Sequence, residues 1–360
     1  MSSSKHNNGN QHEGKRRAER ILSVRRRVHG RRQVSDGSTI EWLVGPDGKR
    51  GASWNVTRGC TRADPSCDNC YAMRMAGRFG KPGLWGEGLT RTRSNGQVDW
   101  SGQVVTVPEK LEMPLRWRRP RRVFVSSTSD IFHPRVPFEF IVVVWGVMAA
   151  APQHTFLVLT KRPNRAREFL GWLPGHYTGP RRVSAWASAE LQRRVAASPE
   201  VPWPLPNVHL GTSAGRQKEA DERIPELLQC PAALHWVSLE PLVGPVTLRD
   251  EWLSGTDQSP RLDWVVAGGE SGRGARECDT AWLHNIVEQC KSAGVPVFVK
   301  QLGSRPVASD GLIPAARLRS RKGSDMSEWP EALRVRQYPD VVGGRAGERA
   351  VKLFPYSGIP

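Results

Sequence analysis

Cys60, Cys67 and Cys70 stand within eleven positions in the stretch "WNVTRGCTRADPSCDNCYA", separated by six and then two residues. The chain has six cysteines in all, and Cys230, Cys278 and Cys290 are scattered through its later part. The N-terminus carries no apolar export signal, so a reducing cytoplasm is expected and metal ligation is a better use for clustered thiols than a disulfide. A structural zinc takes four ligands in a closed tetrahedron. No other Cys or His lies between Gly30 and Phe132, so a fourth ligand would have to come from Cys230, Cys278, Cys290 or His133 through tertiary contact. A [4Fe–4S] cluster on three cysteines instead leaves one iron open to the amine and carboxylate of a small molecule. Gly59, Asp64 and Pro65 provide the turn chemistry that lets one loop gather the thiolates. The spacing favours an iron–sulfur site over zinc, with inert buried thiols as a third reading.

Other residues able to do chemistry recur at the ends of short apolar runs. Those runs are "VFVSSTSD" (Val123–Asp130), "TFLVLTKR" (Thr155–Arg162), "VHLGTSA" (Val208–Ala214), "LHWVSLEP" (Leu234–Pro241), "LDWVVAGGE" (Leu262–Glu270) and "VPVFVKQLG" (Val295–Gly303). Each starts β-branched and apolar and ends in small, hydroxyl, charged or glycine residues, which reads as a buried parallel strand. Helical spacing is found between them at Glu139–Ala150, Arg165–Leu170, Glu219–Leu228 and Thr280–Ala293, the last with Thr280 read as its cap and a terminal glycine. Six units and a first strand before the cysteines predict an α/β fold, a complete or partial (β/α) TIM-like barrel; an open doubly wound sheet is the alternative. In a barrel the strand C-termini carry the reacting groups. That places Ser126, Ser127, Asp130, Lys161, Arg162, Glu240, Gly268, Gly269, Glu270, Ser271 and Lys300 around one mouth. Lys161 and Arg162 suit a carboxylate or phosphate. Glu240 before Pro241 is expected in the pocket, since a buried carboxylate without a cation or ligand is costly. His133 reads as structural.

The formal net charge is +18, with 42 Arg against 11 Lys. Part of that excess reads as a GC-rich coding bias. Residues 1–35 are expected to form a basic arm: from Met1 to Gln33 there are ten basic residues and two acidic ones. Its composition is that of a disordered segment, read either as a solubilising tail or as an arm for nucleic acid or a nucleotide. The barrel is expected over 36–305 with an insertion at about 171–206, followed by an irregular tail over 306–360. The most apolar stretch, "FEFIVVVWGVMAAAP", is too short to span a membrane, and no membrane partner is expected.

A barrel with a three-cysteine loop after its first strand resembles the radical S-adenosylmethionine superfamily. That resemblance implies a [4Fe–4S] cluster on Cys60, Cys67 and Cys70, S-adenosyl-L-methionine on the open iron, an external electron donor, and a 5′-deoxyadenosyl radical that abstracts a substrate hydrogen. The usual spacing there is three then two with an aromatic before the last cysteine; here it is six then two, with Asn69 before Cys70 and Tyr71 after it. "GGES" at Gly268–Ser271 resembles the element that contacts the cofactor's amino group, where paired glycines admit a ligand and Glu270 accepts from an ammonium. It follows a late strand instead of the second, so Ser126, Ser127 and Asp130 compete for that role. Several motifs in order, from "IEWLVGPDGKRGASWNVTRGC" through "VFVSSTSDIFHPRVP", "FLVLTKRPNR" and "HWVSLEPLVGPVTL" to "DWVVAGGESGRGAR", are similar to the bacteriophage gp thirty-seven / gp sixty-eight family, a three-Cys-motif group regarded as radical-SAM-like. Lys300 resembles that family's final-strand lysine and is expected, with Glu240, to face the substrate. The resemblance implies a phage protein in the host cytoplasm, acting on a nucleotide or hypermodified phage DNA. A zinc-containing DNA-binding protein without redox chemistry is the alternative.

Overall fold

The computed structural model describes residues 37–45, 48–176, 202–255, 260–309 and 318–339. The expected basic arm over 1–35 and most of the insertion over 171–206 lie outside the described residues, whereas 171–176 continue a helix. Seven strands form one sheet: β1 (Ala52–Trp54), β2 (Arg122–Val125), β3 (Thr155–Thr160), β4 (Val208–Ser213), β5 (Leu234–Leu242), β6 (Trp264–Gly269) and β7 (Val297–Gln301). Neighbours pair in strict chain order and every pairing is parallel. A doubly wound sheet reverses its strand order at a switch point. No reversal occurs here, so the sheet is a half-barrel.

The alternation along each strand explains why the runs are apolar throughout. Val123 and Val125, Phe156 and Val158, Val265 and Ala267, and Val297 and Val299 pack beneath the helices. Phe124, Leu157, Trp264, Val266 and Phe298 face the concave side, where they join Trp42, Leu43, Leu234 and Trp236. Both faces are covered, so no strand alternates with polar residues. Of the helices α1 (Tyr71–Arg78), α2 (Phe138–Ala149), α3 (Pro163–His176), α4 (Gln217–Leu228) and α5 (Thr280–Ser292), the last four cover the sheet and α1 belongs to a separate lobe. Helix α2 is buried from Phe140 through Met148, as expected of a helix apolar on every side. The cap of α5 is Asp279, whose side chain accepts from the Ala281 N–H, and Thr280 is the first helical residue instead of the cap.

A cluster of tryptophans plugs the concave side. The Trp42 ring lies 4.9 Å from Phe124, 5.3 Å from Trp236 and 6.3 Å from Trp264. Gly211 on β4 makes room, because a Cβ there would fall on the Trp236 indole. Beyond residue 305 the chain is not simply a tail. Val299 donates to the Val335 carbonyl and Gln337 to the Val297 carbonyl, each at 2.9 Å, so residues 335–337 run antiparallel along the free edge of β7. Trp329 and Leu333 enter the main core. Tyr338 then reaches the opposite edge: its hydroxyl donates to the Glu41 carbonyl at 3.3 Å and its ring lies 4.0 Å beneath the Arg122 guanidinium. Among the described residues, this segment and the turn at Glu41–Leu43 bridge the two sheet edges in place of a β1–β7 ladder.

Between β1 and β2 a small lobe is inserted. Thr57–Arg58 pair with Val105–Thr106, Thr90–Thr92 form a hairpin with Val98–Trp100, and α1 packs Ala72, Met73 and Ala76 on Leu89 and Trp100. Neither the hairpin nor α1 is marked by the sequence periodicity.

Trp42→Ala removes a ring that touches Phe124 on β2, Trp236 on β5 and Trp264 on β6. A destabilisation of about 3–5 kcal/mol is expected for such a core truncation, read from the urea midpoint. A loss under about 1 kcal/mol would mean that the plug is not part of the cooperative core.

Candidate functional site

The lobe carries all three cysteines to the C-terminal ends of the strands. Gly59 has φ +82° and a Cβ there would strike the Gln103 carbonyl, so only glycine lets the chain turn past Ser129, which it bridges, into Cys60. Asp64 then caps a 3-10 turn over Pro65–Cys67, its Oδ1 accepting from the Ser66 N–H at 2.7 Å. Cys70 occupies the N-cap position of α1. All three thiols are half-buried, and Cys60 and Cys70 pack on the small core of the lobe. They lie close enough to feel one another. Burial, then Asp130, and then the Cys67 and Cys70 sulfurs push the Cys60 thiol up to about 12, against the opposing pull of Arg162. Burial also raises Cys70, opposed by the Met73 and Ala72 N–H groups and by Lys161.

Two ion-pair networks fix this loop to the barrel. Asp64 is buried and receives the Lys161 ammonium at 2.9 Å and the Arg223 guanidinium at 2.7 Å. Burial works against its ionisation, but Lys161, the Ser66 hydroxyl and Arg223 hold its carboxyl far below the usual carboxylate range. Asp130 accepts from the Phe132 N–H at 3.0 Å, the Thr160 hydroxyl at 2.8 Å, the Lys161 N–H at 3.1 Å and the Arg162 guanidinium at 2.8 Å. Arg162 in turn donates to the Thr61 carbonyl and hydroxyl, both at 3.1 Å, and approaches the Cys60 sulfur at 3.9 Å. Lys161, Arg162 and Asp130 therefore anchor the cysteine loop, where free ligand-binding groups were expected. His133 behaves as expected of a structural residue. Its Nε2 lies 3.0 Å from the Thr61 hydroxyl, and burial, followed by Arg162, pulls its pKa down to about 4.

Glu270 is similarly engaged. Its carboxylate takes the Arg276 guanidinium at 2.7 Å, the Arg276 N–H at 2.9 Å and the Asn69 side chain at 2.9 Å. Against the effect of burial, these donors lower the Glu270 pKa. Arg276 also donates to the Pro65 carbonyl at 2.8 Å. The "GGES" segment and the "GRGAR" that follows it thus clamp the cysteine loop from the far side. The glycines serve packing: a Cβ on Gly269 would strike the Leu302 carbonyl, and one on Gly268 would lie 3.1 Å from the Gln301 carbonyl. The β6 register slips on both sides here, a bulge that turns Glu270 toward the loop. Ser271 follows the clamp at intermediate burial.

Tyr71, next to Cys70 at the mouth, is 52% exposed. The Tyr71 hydroxyl donates to the Ser127 carbonyl, and the Ser127 hydroxyl donates to Asn55 at 3.0 Å. Ser126, buried at φ 56°, is the one described non-glycine residue in the left-handed region, and its hydroxyl accepts from Thr57 at 2.9 Å. Strain of this kind is held where a surrounding network over-determines the backbone, often at functional sites. Glu240 and Lys300 meet across the concave side as an ion pair, with side chains 16% and 18% exposed. Each is the counter-charge that the other was expected to seek in a ligand.

A family model described as "Protein of unknown function (DUF5131)" matches residues 38–332, most of the chain. The chain belongs to that family. The match begins at the turn before β1 and ends among the buried residues that seal the β7 edge, so it spans the whole half-barrel. No curated protein and no solved structure matches the chain.

Among the described residues, no group of three or more His, Cys, Asp or Glu side chains could hold a single metal ion. Zinc needs its ligands converged on one point about 2.3 Å from each sulfur. A cubane cluster spreads its thiolates over separate irons and takes hydrogen bonds at sulfur. Each thiol here has a donor nearby: Arg162 for Cys60, the Ala63 N–H at 3.5 Å for Cys67, and the first turn of α1 for Cys70. Donors at sulfur of this kind fit a thiolate ligand. Asn69, Tyr71, Arg223 and Arg276 are the site residues that spacing alone does not single out. Asn69 and Tyr71 flank Cys70 in the motif, whereas Arg223 and Arg276 stand far from it in the chain.

The buried histidines and the paired carboxylates set one pH dependence. His133 and His209 have folded pKa values of about 4 and about 3 against an ordinary 6.5, so acid loads the unfolded chain with protons first. Asp64 and Glu270 titrate below their ordinary values and add to the loss once the pH falls below about 4. The melting temperature is expected to fall as pH drops from about 6.5 to 4, and to fall further below that. A melting temperature that rises between pH 7 and 5 contradicts the assignment. Arg276→Ala leaves Glu270 buried without its cation and should cost about 3 kcal/mol near neutral pH, measured in the same melts.

Proposed function

We propose that the protein is a radical S-adenosylmethionine-type enzyme whose [4Fe–4S] cluster is held by Cys60, Cys67 and Cys70. What supports this reading is that one loop carrying three cysteines is fixed at the C-terminal ends of a consecutively ordered parallel half-barrel, with Cys60 beside Arg162 after the third strand. When bound, such a cluster with S-adenosylmethionine on its open iron supplies a carbon-centred radical able to remove a hydrogen atom from a substrate.

The chain's own residues divide the remaining work. Asp64, Lys161, Arg162 and Asp130 hold the loop against the third strand, and Glu270 with Arg276 holds it against the sixth. Glu240 and Lys300 face the substrate across the concave side as an ion pair. An external donor supplies the electron. The substrate in this proposal is a nucleotide or the modified DNA of a phage, in line with the resemblance to the phage gp thirty-seven / gp sixty-eight group, and the basic arm over 1–35 would grasp its phosphates.

Oxygen-free purification and reconstitution tests this directly. About four irons and four labile sulfides per chain are expected, with 5′-deoxyadenosine formed on reduction. Cys67→Ala should lose the iron, whereas Glu240→Gln should keep it and lose turnover by about 10²-fold. Colourless protein carrying one zinc and no iron would overturn the reading.

A further inference from the structure

Helix α1 begins at Cys70 and presents two contrasting faces. Ala72, Met73 and Ala76 are buried. On the opposite side Tyr71 is 52% and Met75 40% exposed, and Arg74 and Arg78 lie on the same side at helical spacing. The exposed face starts next to Cys70 at the mouth and runs across the lobe surface to Lys81 and Arg91, both exposed. Between Tyr71 and Thr92 the sequence has four basic residues and one acidic residue, Glu87. The Glu87 carboxylate accepts from the Gly83 N–H at 2.7 Å. Among the described residues, Arg74, Arg78, Lys81 and Arg91 have no carboxylate partner, in contrast to Arg62 and Arg93, which share Asp99. Arg74 donates to Asn69 at 2.9 Å.

Unneutralised cations interleaved with exposed flat or polarisable apolar groups, leading to the strand-end mouth, match one kind of partner. Phosphates at each step of a chain answer the cations, and an unstacked base answers an exposed aromatic ring. The Tyr71 hydroxyl is anchored on the Ser127 carbonyl while the residue is 52% exposed, so the ring loses little freedom on stacking. A base inside a duplex is already stacked and paired, whereas a single strand presents its bases to a side chain at no cost in unpairing.

We propose that the exposed face of α1 and the loop after it form a binding track for a single-stranded polynucleotide, with Tyr71 as the stacking platform for the base that enters the mouth. The track is separate from the basic arm, and it names the substrate class for the proposed enzyme, so it rests on the reading of this mouth as the reacting end.

Fluorescence anisotropy with the full-length chain and a labelled oligodeoxynucleotide of about 12 nucleotides tests it, without reductant or S-adenosylmethionine. Tyr71→Ala should bind at least about fivefold more weakly, and Tyr71→Phe should bind within about twofold of the parent. The double variant Arg78→Ala/Lys81→Ala should bind more weakly and lower the slope of log affinity against log salt by roughly 0.7 for each phosphate no longer neutralised. Because every variant keeps the arm, the differences report the track. Parent-like affinity in both Tyr71→Ala and the double variant overturns the proposal, even if iron and 5′-deoxyadenosine are found. So does duplex DNA binding as tightly as the single strand, or poly-glutamate competing as well as the oligonucleotide. Weakened binding in both, from protein that takes up no iron, upholds the track and overturns the enzyme reading.

Discussion

A carboxylate taken out of water is tolerable only where cations reach it, and Asp64 is met by two. Asp64 belongs to the cysteine loop, Lys161 to the end of β3 and Arg223 to α4, so satisfying one buried charge ties three separate parts of the chain together. Asp130 and Arg162 repeat the device one residue along, and Glu270 with Arg276 closes it from β6. The cysteines lie between these struts. Removing one partner of such a network leaves the other charge buried and uncompensated, which makes the position of the loop all-or-none and not adjustable.

The half-barrel separates stability from chemistry along its axis. Trp42, Trp236 and Trp264 fill the concave side with rings, and the Val335–Gln337 segment caps the edge of β7. An uncovered parallel edge would present a row of unpaired N–H and C=O groups. Toward the strand C-termini the same concave face changes to the Glu240–Lys300 ion pair. The strained backbone at Ser126 and the bulge in β6 both lie at this end. The part that is costly to distort is therefore away from the part that carries special backbone geometry.

Charge has two uses in this protein, and the structure tells them apart by partner. Cations at the strand ends are consumed internally, one buried carboxylate after another. Cations on α1 and the following loop face solvent without a carboxylate. A high formal charge by itself says little about binding, since coding bias and internal pairing both contribute to it. What matters is which basic groups are left unneutralised on a surface continuous with the mouth.

The strands, the parallel sheet and the three-cysteine loop were legible in the sequence because they rest on local signals: β-branched runs of strand length, helical spacing between them, and thiols clustered within one loop. All six runs are strands in the structure, and the four helices differ from the expected ranges mainly at their ends. The sequence also identified Glu240, Lys300, Lys161 and Glu270 as polar residues at strand ends, but not what they touch. Glu270 and Asn69 are 201 positions apart, and Lys300 and Glu240 are 60. Whether a charged side chain meets a ligand or another side chain depends on which distant residue the fold brings beside it. Pairing between residues so far apart leaves no periodicity, spacing or turn signal along the chain, so the half-barrel alone decided it.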